Sequence, residues 1–556
     1  MGVAVVLVLA SACGGAGDDA ADLVLRNGKI VTLDASRPEA QALAARDGRI
    51  VSVGSDADVE SLIGPETRVI DLDGQLAIPG FIEGHAHYTG VGLSKLQLNL
   101  MDVANWDEVV GMVETAVAEA QPGELITGRG WHQEKWDRTP EPNVDGLPHH
   151  SALSAVSPDN PVILTHASGH ATFANAKAME LAGITAATPD PDGGEIVRDA
   201  SGSPVGAFRE TASGLLGPAL ATANEPDPRR VTLLAQEEAF SKGITSFHDA
   251  GARWSDVDLW KGMVDDGDLK IRLYVMIRAN PASLAENLAA YRTIGYGDRL
   301  TVRSIKVSID GALGSHGAWL LEPYDDLPKS SGLNTTPIED VVETARLAMQ
   351  HGYQFNVHAI GDRGNRETLD IFERAYAAAG PGDYRWRIEH AQHLHPDDIP
   401  RFGQLGVIAS MQGVHATSDG PWIGAKIGPQ RSEEGAYVWQ SLMGSGAVVM
   451  NGTDAPVEDV DPIASWYASV SRMMANGERL YPEQSMSREE ALRSYTINAA
   501  YGAFEEDIKG TLAVGKLADV TVLTQDVMTI DEASIPATAV AYTIVGGEVV
   551  YAGAGR

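Results

Sequence analysis

Two histidines separated by one residue, His85-Ala86-His87, end an apolar run that reads LAIPGFIEGHAHY. In an extended strand, residues two apart point to the same side, so both imidazoles would face one site. Such a pair could ligate a metal ion, because imidazole nitrogen is a common ligand of Zn²⁺. The spacing alone proves little, since His393-Leu394-His395 shares it in a segment that leads into a helix and carries no predicted function.

Three further side chains that can bind metal lie towards the ends of other apolar runs. His358 lies in YQFNVHAIGD, His390 in RWRIEHAQ and Asp454 in AVVMNGTDAP. A single histidine at a strand end is commonly a hydrogen-bonded core residue. Four histidines and an aspartate in equivalent positions instead indicate a metal site at the carboxyl ends of strands, where barrel enzymes place their chemistry.

Lys306 lies among apolar neighbours in LTVRSIKVSIDG. A buried ammonium without a partner is costly, and neighbouring cations would repel it. Two interpretations stay open. Lys306 could form a salt bridge with a nearby carboxylate such as Asp310, or its neutral amine could add CO₂ and become a carbamate whose two oxygens bridge two metal ions.

The elements that would position these residues are eight apolar, strand-like runs separated by helical patterns. Eight parallel strands with intervening helices predict an α/β fold, a (β/α)₈ TIM-type barrel with its active site at the strands' carboxyl ends. The runs span 77–88, 243–251, 270–278, 300–311, 353–362, 385–392, 406–412 and 447–456.

The two ends of the chain have a different texture, with short strands and turn dipeptides such as Asn27-Gly28 and Gly546-Gly547. We therefore expect residues 22–78 and 508–556 to form one small composite β-sandwich domain. The barrel would span 79–507. Residues 95–240 separate the first and second barrel runs by far more than one crossover needs, and they predict an inserted subdomain after strand 1.

The first 21 residues predict a lipoprotein-type signal and tether. Val3 to Ala10 are apolar, small residues precede Cys13, and Gly and Asp follow it, which resembles a bacterial lipoprotein signal. The segment departs from that pattern because no Lys or Arg precedes the apolar run and Ala10 stands where Leu is usual. We expect lipidation at Cys13 and a location in the cell envelope, with membrane contact only through this anchor.

Composition excludes several classes of partner and site. The chain has 42 Lys and Arg against 76 Asp and Glu, a formal net charge of −34, which argues against nucleic acid. Cys13 is the only cysteine, so neither an internal disulfide nor a cysteine-ligated zinc site can form. We expect a small-molecule substrate, and a homodimer is one candidate assembly.

The motifs together resemble amidohydrolase family 3 of the amidohydrolase superfamily, whose members include N-substituted formamide deformylases. The similarity runs from about residue 22 to the C-terminus. It is carried by PGFIEGHAHY, GRGWHQEKW, GITSFHDAG, DGALGS, VHAIGDRGN, IEHAQ and GTDAPV.

The resemblance implies a two-metal centre. His85, His87, Lys306 and Asp454 would hold one ion, and carboxylated Lys306, His358 and His390 the second. Nitrogen and oxygen ligands without thiolate suit Zn²⁺, with Mn²⁺ or Co²⁺ as alternatives.

Asp454 is the predicted catalytic residue, a metal ligand that takes a proton from water and gives it to the leaving amine. Further expectations concern substrate contacts near the mouth of the barrel. These residues are Trp131, His132, His170, His248, Arg278 and His316.

The predicted activity is hydrolysis of a non-peptide carbon–nitrogen bond in an amide, an N-acyl or N-formyl group, or a cyclic amide, by a metal-activated hydroxide. An esterase or lactonase could use the same site. A non-catalytic metal- or ligand-binding envelope lipoprotein is the alternative from a different class.

Overall fold

A computed structural model describes residues 20–222 and 226–554. Cys13 and most of the predicted signal segment lie outside these residues. No helix within the described part of the chain is both long and apolar enough to cross a membrane.

Eight parallel strands form the centre of the molecule, which confirms the predicted barrel. Each strand pairs in parallel with the next, from the first to the eighth. Most of their residues are buried on both faces, as expected for strands enclosed by helices. Barrel strands 1 to 8 are Phe81–Ala86, Ile244–Ala252, Arg272–Ile277, Leu300–Ser308, Gln354–Ala359, Arg387–His390, Ile408–Gln412 and Val449–Gly452.

Helices cover the outside of the barrel because each presents one apolar side to the strands. Asp362–Ala379, for example, buries Leu369 and Phe372 while its charged residues face outward. The helices are Tyr88–Ser94, Pro228–Ser241, Trp254–Asp265, Pro281–Tyr291, Ile338–His351, Asp362–Ala379, Ile399–Leu405, Gly413–Ile427, Pro429–Gly435, Trp439–Gly444, Pro462–Ser471, Arg488–Ser494 and Ile497–Gly502, with the 3₁₀ turn Pro482–Gln484. A short strand, Thr293–Tyr296, pairs antiparallel with barrel strand 4.

The seam between barrel strands 8 and 1 differs from the other seven contacts, because no backbone ladder joins these two fully described strands. Side chains and post-strand backbone join them instead. Glu83 accepts hydrogen bonds from the backbone N–H (2.8 Å) and the hydroxyl (2.9 Å) of Thr453. Beyond the strands, the His87 N–H donates to the Ala455 carbonyl and the Asp454 N–H to the His85 carbonyl, both at 2.7 Å.

Strands from both chain ends build two further sheets. Arg49–Gly54, Ala42–Arg46, Leu23–Arg26 and Arg68–Asp71 form a four-stranded sheet in that order. Glu548–Ala552, Val540–Val545, Val520–Leu523, Leu76–Pro79, Lys29–Val31 and Glu39–Ala40 form a six-stranded one. The helix Asp56–Glu60 and the 3₁₀ turn Glu532–Ala537 complete this part.

A separate six-stranded sheet lies between barrel strands 1 and 2 in the sequence. Its strands, in spatial order, are Gly194–Arg198, Pro204–Glu210, Ala171–Ala174, Val162–His166, Ile126–Trp131 and Leu98–Asn99. The remaining elements of this insertion are the helices Trp106–Glu119, Ser151–Val156, Ala176–Leu181 and Gly217–Leu220, the 3₁₀ turns Gln133–Lys135 and Thr211–Leu216, and the hairpin Asn143–Val144 with Leu147–Pro148.

Candidate metal centre

Three side chains from the two ends of the barrel sequence converge at the strand 8–strand 1 seam. His85 lies near the end of barrel strand 1, His87 follows that strand, and Asp454 follows barrel strand 8. Nε2 of His85 lies 3.4 Å, and Nε2 of His87 3.3 Å, from Oδ1 of Asp454. Their ligand atoms all lie within 4.8 Å of one another, so three of the predicted metal ligands meet.

Hydrogen bonding around His85 indicates that a cation fits between these groups. Its Nδ1 lies 2.5 Å from Oε2 of Glu389, so the ring donates its proton there and Nε2 keeps its lone pair. That lone pair faces Oδ1 of Asp454, which is also an acceptor and is buried without a hydrogen-bond partner. Two atoms that face each other with lone pairs can both act as ligands of a divalent cation placed between them.

The charges at the site agree with this interpretation. Burial lowers the pKa of His85, but Glu389 and Asp454 raise it by more, so the carboxylates favour a positive charge here. Burial lowers the pKa of His87 to about 4, which keeps that ring neutral and able to ligate. Burial raises the pKa of Asp454, but His85 and His87 lower it by more. The net shift is downward, and the carboxyl stays ionised.

His390 and His358 lie beside this trio. The ring centre of His390 lies 4.7 Å from that of His85 and 4.5 Å from that of His358. Nδ1 of His390 donates to Oε1 of Gln412 at 2.8 Å, which leaves its Nε2 as an acceptor. Nε2 of His358 is buried without a hydrogen-bond partner, 3.5 Å from Oδ1 of Asp310. Burial holds the pKa of both rings well below the usual value, so both rings are neutral and able to ligate a metal ion.

Lys306 points into the same group. Only 2% of the residue is exposed, and its Nζ lies 3.3 Å from Nε2 of His85. None of the described carboxylates has an oxygen within 4.0 Å of Nζ, so the salt bridge to Asp310 is not formed. Asp310 instead accepts the backbone N–H groups of Ile360, Gly361 and Trp319. Burial lowers the pKa of Lys306 to about 8, towards the neutral amine.

His415, which sequence reasoning did not select, also faces the site. With His390 and Asp454 it forms a second group whose ligand atoms lie within 4.8 Å of one another. Its Nδ1 accepts a hydrogen bond from Nε2 of Gln392 at 3.0 Å. Because Nδ1 accepts, the ring proton lies on Nε2, which is buried without a partner. This tautomer makes His415 a hydrogen-bond donor to the site.

Two of the site residues adopt unusual backbone conformations. His390 has φ of 80° and Asp454 has φ of 58°, in the region that favours glycine. Each such residue costs on the order of 1–3 kcal/mol and is retained where the surrounding structure over-determines it. The turn at His390 also explains why adjacent Glu389 and His390 both reach the site, although neighbours in a regular strand point to opposite faces.

Two cavities open beside the metal-binding side chains. The smaller, about 40 Å³, is lined by His358, His390, His415 and Asp454, together with groups from the insertion. The larger, about 400 Å³, lies along His87. Both cavities share Ser168, His170 and Val457 in their walls.

Three of the six predicted substrate contacts line these cavities. His132 faces the smaller one, where its ring lies 5.7 Å from that of Trp422. His170 faces both and is bonded through Nδ1 to Glu210 at 2.6 Å. Arg278 lines the larger one.

The other three lie elsewhere. Trp131 is fully buried in the core of the inserted sheet, where its Nε1–H donates to the carbonyl of Leu164. His248 lies inside the barrel because strand 2 continues to Ala252, and its Nδ1 accepts from Arg387. His316 is held by Asp326 and Lys426 in the loop after strand 4 and lines neither cavity.

Several polar residues of the site carry no signal that the sequence makes readable. Glu389 adjoins a predicted ligand, but strand alternation would place it on the opposite face. Arg129 and Glu210 come from the insertion, whose placement over the barrel is a tertiary property. His415 belongs to the helix Gly413–Ile427, just after strand 7, and the run GVIASMQ ends before it.

The sequence is similar to known proteins along most of its length. The profile of the amidohydrolase family matches residues 68–551. Protein LONG AFTER FAR-RED 3 of Arabidopsis thaliana is 35% identical over 542 residues, which cover 96% of this chain and 92% of that protein. The N-substituted formamide deformylase of Arthrobacter pascens is 28% identical and is covered to 94%, with 91% of this chain aligned.

A solved structure has the same architecture. An uncharacterized metal-dependent hydrolase from Pyrococcus furiosus superposes with a TM-score of 0.70 and 28% sequence identity. The match covers 91% of this chain and 100% of that one.

Proposed function

The chain belongs to the amidohydrolase family, and from that premise we propose that this hydrolase cleaves a non-peptide carbon–nitrogen bond, in an amide or an N-acyl or N-formyl group. The observation that carries the proposal is the pair of facing acceptors, Nε2 of His85 and Oδ1 of Asp454, at the mouth of the barrel. An ionised carboxylate beside imidazole nitrogens supplies both a cation site and a base.

The donor set fits Zn²⁺, or Mn²⁺ or Co²⁺, because it offers imidazole nitrogen and carboxylate oxygen. His85, His87, Lys306 and Asp454 would hold one ion, and carboxylated Lys306, His358 and His390 would hold a second. Bound divalent cations at such a site acidify water and polarise a carbonyl oxygen.

The chain's own residues then move the proton and hold the substrate. Ionised Asp454 accepts a proton from the attacking water and returns it to the departing nitrogen as the carbon–nitrogen bond breaks. The Nε2–H of His415 donates to the carbonyl oxygen, on which negative charge grows as water adds. His132 and Trp422 form part of the wall of the smaller cavity, where the substrate would lie.

An amide is preferred to an ester in this proposal because an amine must be protonated to leave, and Asp454 can supply that proton. The N-substituted formamide deformylase relative supports the same bond type. A lactonase or esterase would use the same residues, so the experiment compares the two bond types directly.

The test uses Zn²⁺-loaded enzyme and matched substrates, formanilide and acetanilide against phenyl acetate. We expect hydrolysis of at least one anilide and a loss of about 10²–10⁴-fold or more in kcat for Asp454→Asn. Asp397→Asn, whose side chain is 85% exposed, is the control and should keep wild-type turnover. An Asp454→Asn enzyme with a tenth of wild-type kcat, or an enzyme that cleaves only the ester, would contradict the proposal.

A further inference from the structure

The larger cavity beside the metal centre has an unusual charge for this protein. Two arginines, Arg129 and Arg278, line it, and among its described lining residues only Glu210 is acidic. The chain as a whole carries a formal net charge of −34. A cationic cleft in so acidic a protein requires a local explanation.

Arg278 is exposed to this cleft and lies next to a proposed metal ligand. It follows barrel strand 3, and its Nη2 donates to the hydroxyl of Ser308 at 3.0 Å. A Cβ built on Gly251 would lie 3.5 Å from Cδ of Arg278 and 4.0 Å from Nδ1 of His87, so the two side chains flank one point. No described carboxylate forms an ion pair with Arg278 within 4.0 Å, although a guanidinium offers five donors.

Arg129 approaches the cleft from the inserted sheet, and no carboxylate in the described part of the chain lies within 4.0 Å of it, although Asp454 acts on it from a greater distance. Its Nε donates to the carbonyl of Pro456 at 3.1 Å and its Nη2 to that of Ala167 at 2.9 Å. These carbonyls orient the guanidinium without neutralising it. Burial lowers the pKa of Arg129 to about 10, so it is still charged at neutral pH.

Glu210 balances these charges only in part, because one of its oxygens already has a partner and its single charge faces two guanidinium groups. Its Oε2 lies 2.6 Å from Nδ1 of His170, and Glu210 raises the pKa of that ring against the effect of burial. Among the residues described, the cleft therefore has two guanidinium groups and one carboxylate, of which Oε2 is engaged by His170.

We propose that this cleft binds a carboxylate carried by the substrate, with Arg278 and Arg129 as the recognising groups. The inference rests on the proposed function and narrows its substrate class to amides with an anionic group close to the scissile bond. A carboxylate is favoured over a phosphate because Glu210 lies in the same cleft and would repel a dianion more strongly than a monoanion.

The test compares N-acetylglycine with N-acetylglycinamide, which share the acyl group and the scissile bond and differ in charge. Charge-assisted hydrogen bonds predict a preference of about 10- to 100-fold in kcat/KM for the carboxylate. Arg278→Met and Arg129→Met should each reduce that ratio towards one. Arg346→Met, on the outer helix Ile338–His351, is the matched control and should keep it.

Two further measurements separate the outcomes. Calorimetry of N-acetylglycine binding tests the cleft even if neither compound is hydrolysed, in which case binding lost in Arg278→Met supports the cleft while the proposed bond type fails. Metal content of the variants tests the alternative that Arg278 supports the metal site and does not bind the substrate. If Arg278→Met loses metal, or if the glycinamide or N-acetylaminomethylphosphonate binds as well as the carboxylate, the inference is overturned.

Discussion

Lys306 is the residue on which a two-metal centre depends. Among the histidines and Asp454 only the carboxylate is an anion, and its single charge leaves two dications about 3.5–4 Å apart strongly repelling each other. A carbamate on Lys306 would supply a further negative charge next to Nε2 of His85, where no described carboxylate reaches the amine.

We therefore predict that Lys306→Ala lowers bound metal from about two ions per chain to one or none, and activity with it. Metal analysis by mass spectrometry checks the number, and added short carboxylates should restore part of the activity by occupying the vacated position. Lys329→Ala, with a side chain 72% exposed, should behave as wild type. Two ions and normal turnover in Lys306→Ala would make Lys306 a structural lysine.

His415 offers a second prediction at the scale of the residue. If it acts as a donor through Nε2–H, His415→Phe should lower kcat by about 10²–10³-fold, as loss of an oxyanion donor does, while the bound metal stays unchanged. If it is a metal ligand instead, the variant should lose metal. Metal content measured beside kcat distinguishes the two roles, because the tautomer set by Gln392 puts a proton on Nε2, whereas a metal ligand needs that nitrogen unprotonated.

The ligand residues could be predicted because their position at strand ends is encoded locally, in the apolar runs that precede them. Their partners could not. Glu389 and His390 both reach the site only because φ at His390 breaks the alternation of strand 6, and Trp131 turns into the core of the insertion rather than the barrel mouth. Neither the backbone conformation nor the packing of the inserted sheet is visible in a period-two pattern.

At the scale of the element, the barrel rests on the composite β-structure through a buried ion pair. Arg272 of barrel strand 3 donates to both carboxylate oxygens of Asp519, at 2.7 and 2.8 Å. Asp519 adjoins the strand Val520–Leu523 and also accepts the backbone N–H of Gly546. Burial raises the pKa of Asp519, but Arg272 lowers it by more, so the net shift is downward.

We predict that Asp519→Asn lowers the free energy of unfolding by about 3–5 kcal/mol at neutral pH, because it leaves Arg272 buried and unpaired. A depressed carboxyl pKa stabilises the fold above the unfolded-state pKa of about 3.9, and that stability is lost as pH falls through the folded-state pKa. The difference between variant and wild type should therefore shrink below about pH 4. Urea unfolding across pH checks this, with the exposed pair Asp107–Arg138 and Asp107→Asn as the control. A difference independent of pH would contradict the prediction.

The elements themselves were largely predictable, since eight buried runs alternating with helices leave few other topologies. What the runs do not encode is how the sheet closes. Strand periodicity does not predict the seam. There Gly84 and Gly452 allow strands 1 and 8 to approach each other too closely for a side chain at either position. A Cβ on Gly452 would lie 2.6 Å from the backbone nitrogen of His85.

For the whole molecule, this seam links the metal centre to the stability of the barrel. Strands 8 and 1 lack a ladder, and the contacts that replace it involve Glu83, Thr453 and the backbone next to His85, His87 and Asp454. A cation held by those three side chains would tie the first barrel strand to the last. Metal binding and barrel closure should then be coupled, because a ligand that binds only the closed form stabilises it by mass action.

We predict that removal of metal with a chelator increases amide hydrogen exchange at the seam, in 81–87 and 449–455, more than in barrel strands 3 and 4, whose ladder is intact. At a free metal concentration about 1,000 times the Kd, one site contributes about 4 kcal/mol, so Tm should fall as well. Readdition of Zn²⁺ should reverse both effects. Asp454→Asn, which removes the ligand from strand 8, should show raised exchange at the seam even with Zn²⁺ present. Exchange that rises equally in all eight strands would mean that the metal stabilises the barrel as a whole and that the seam closes without it.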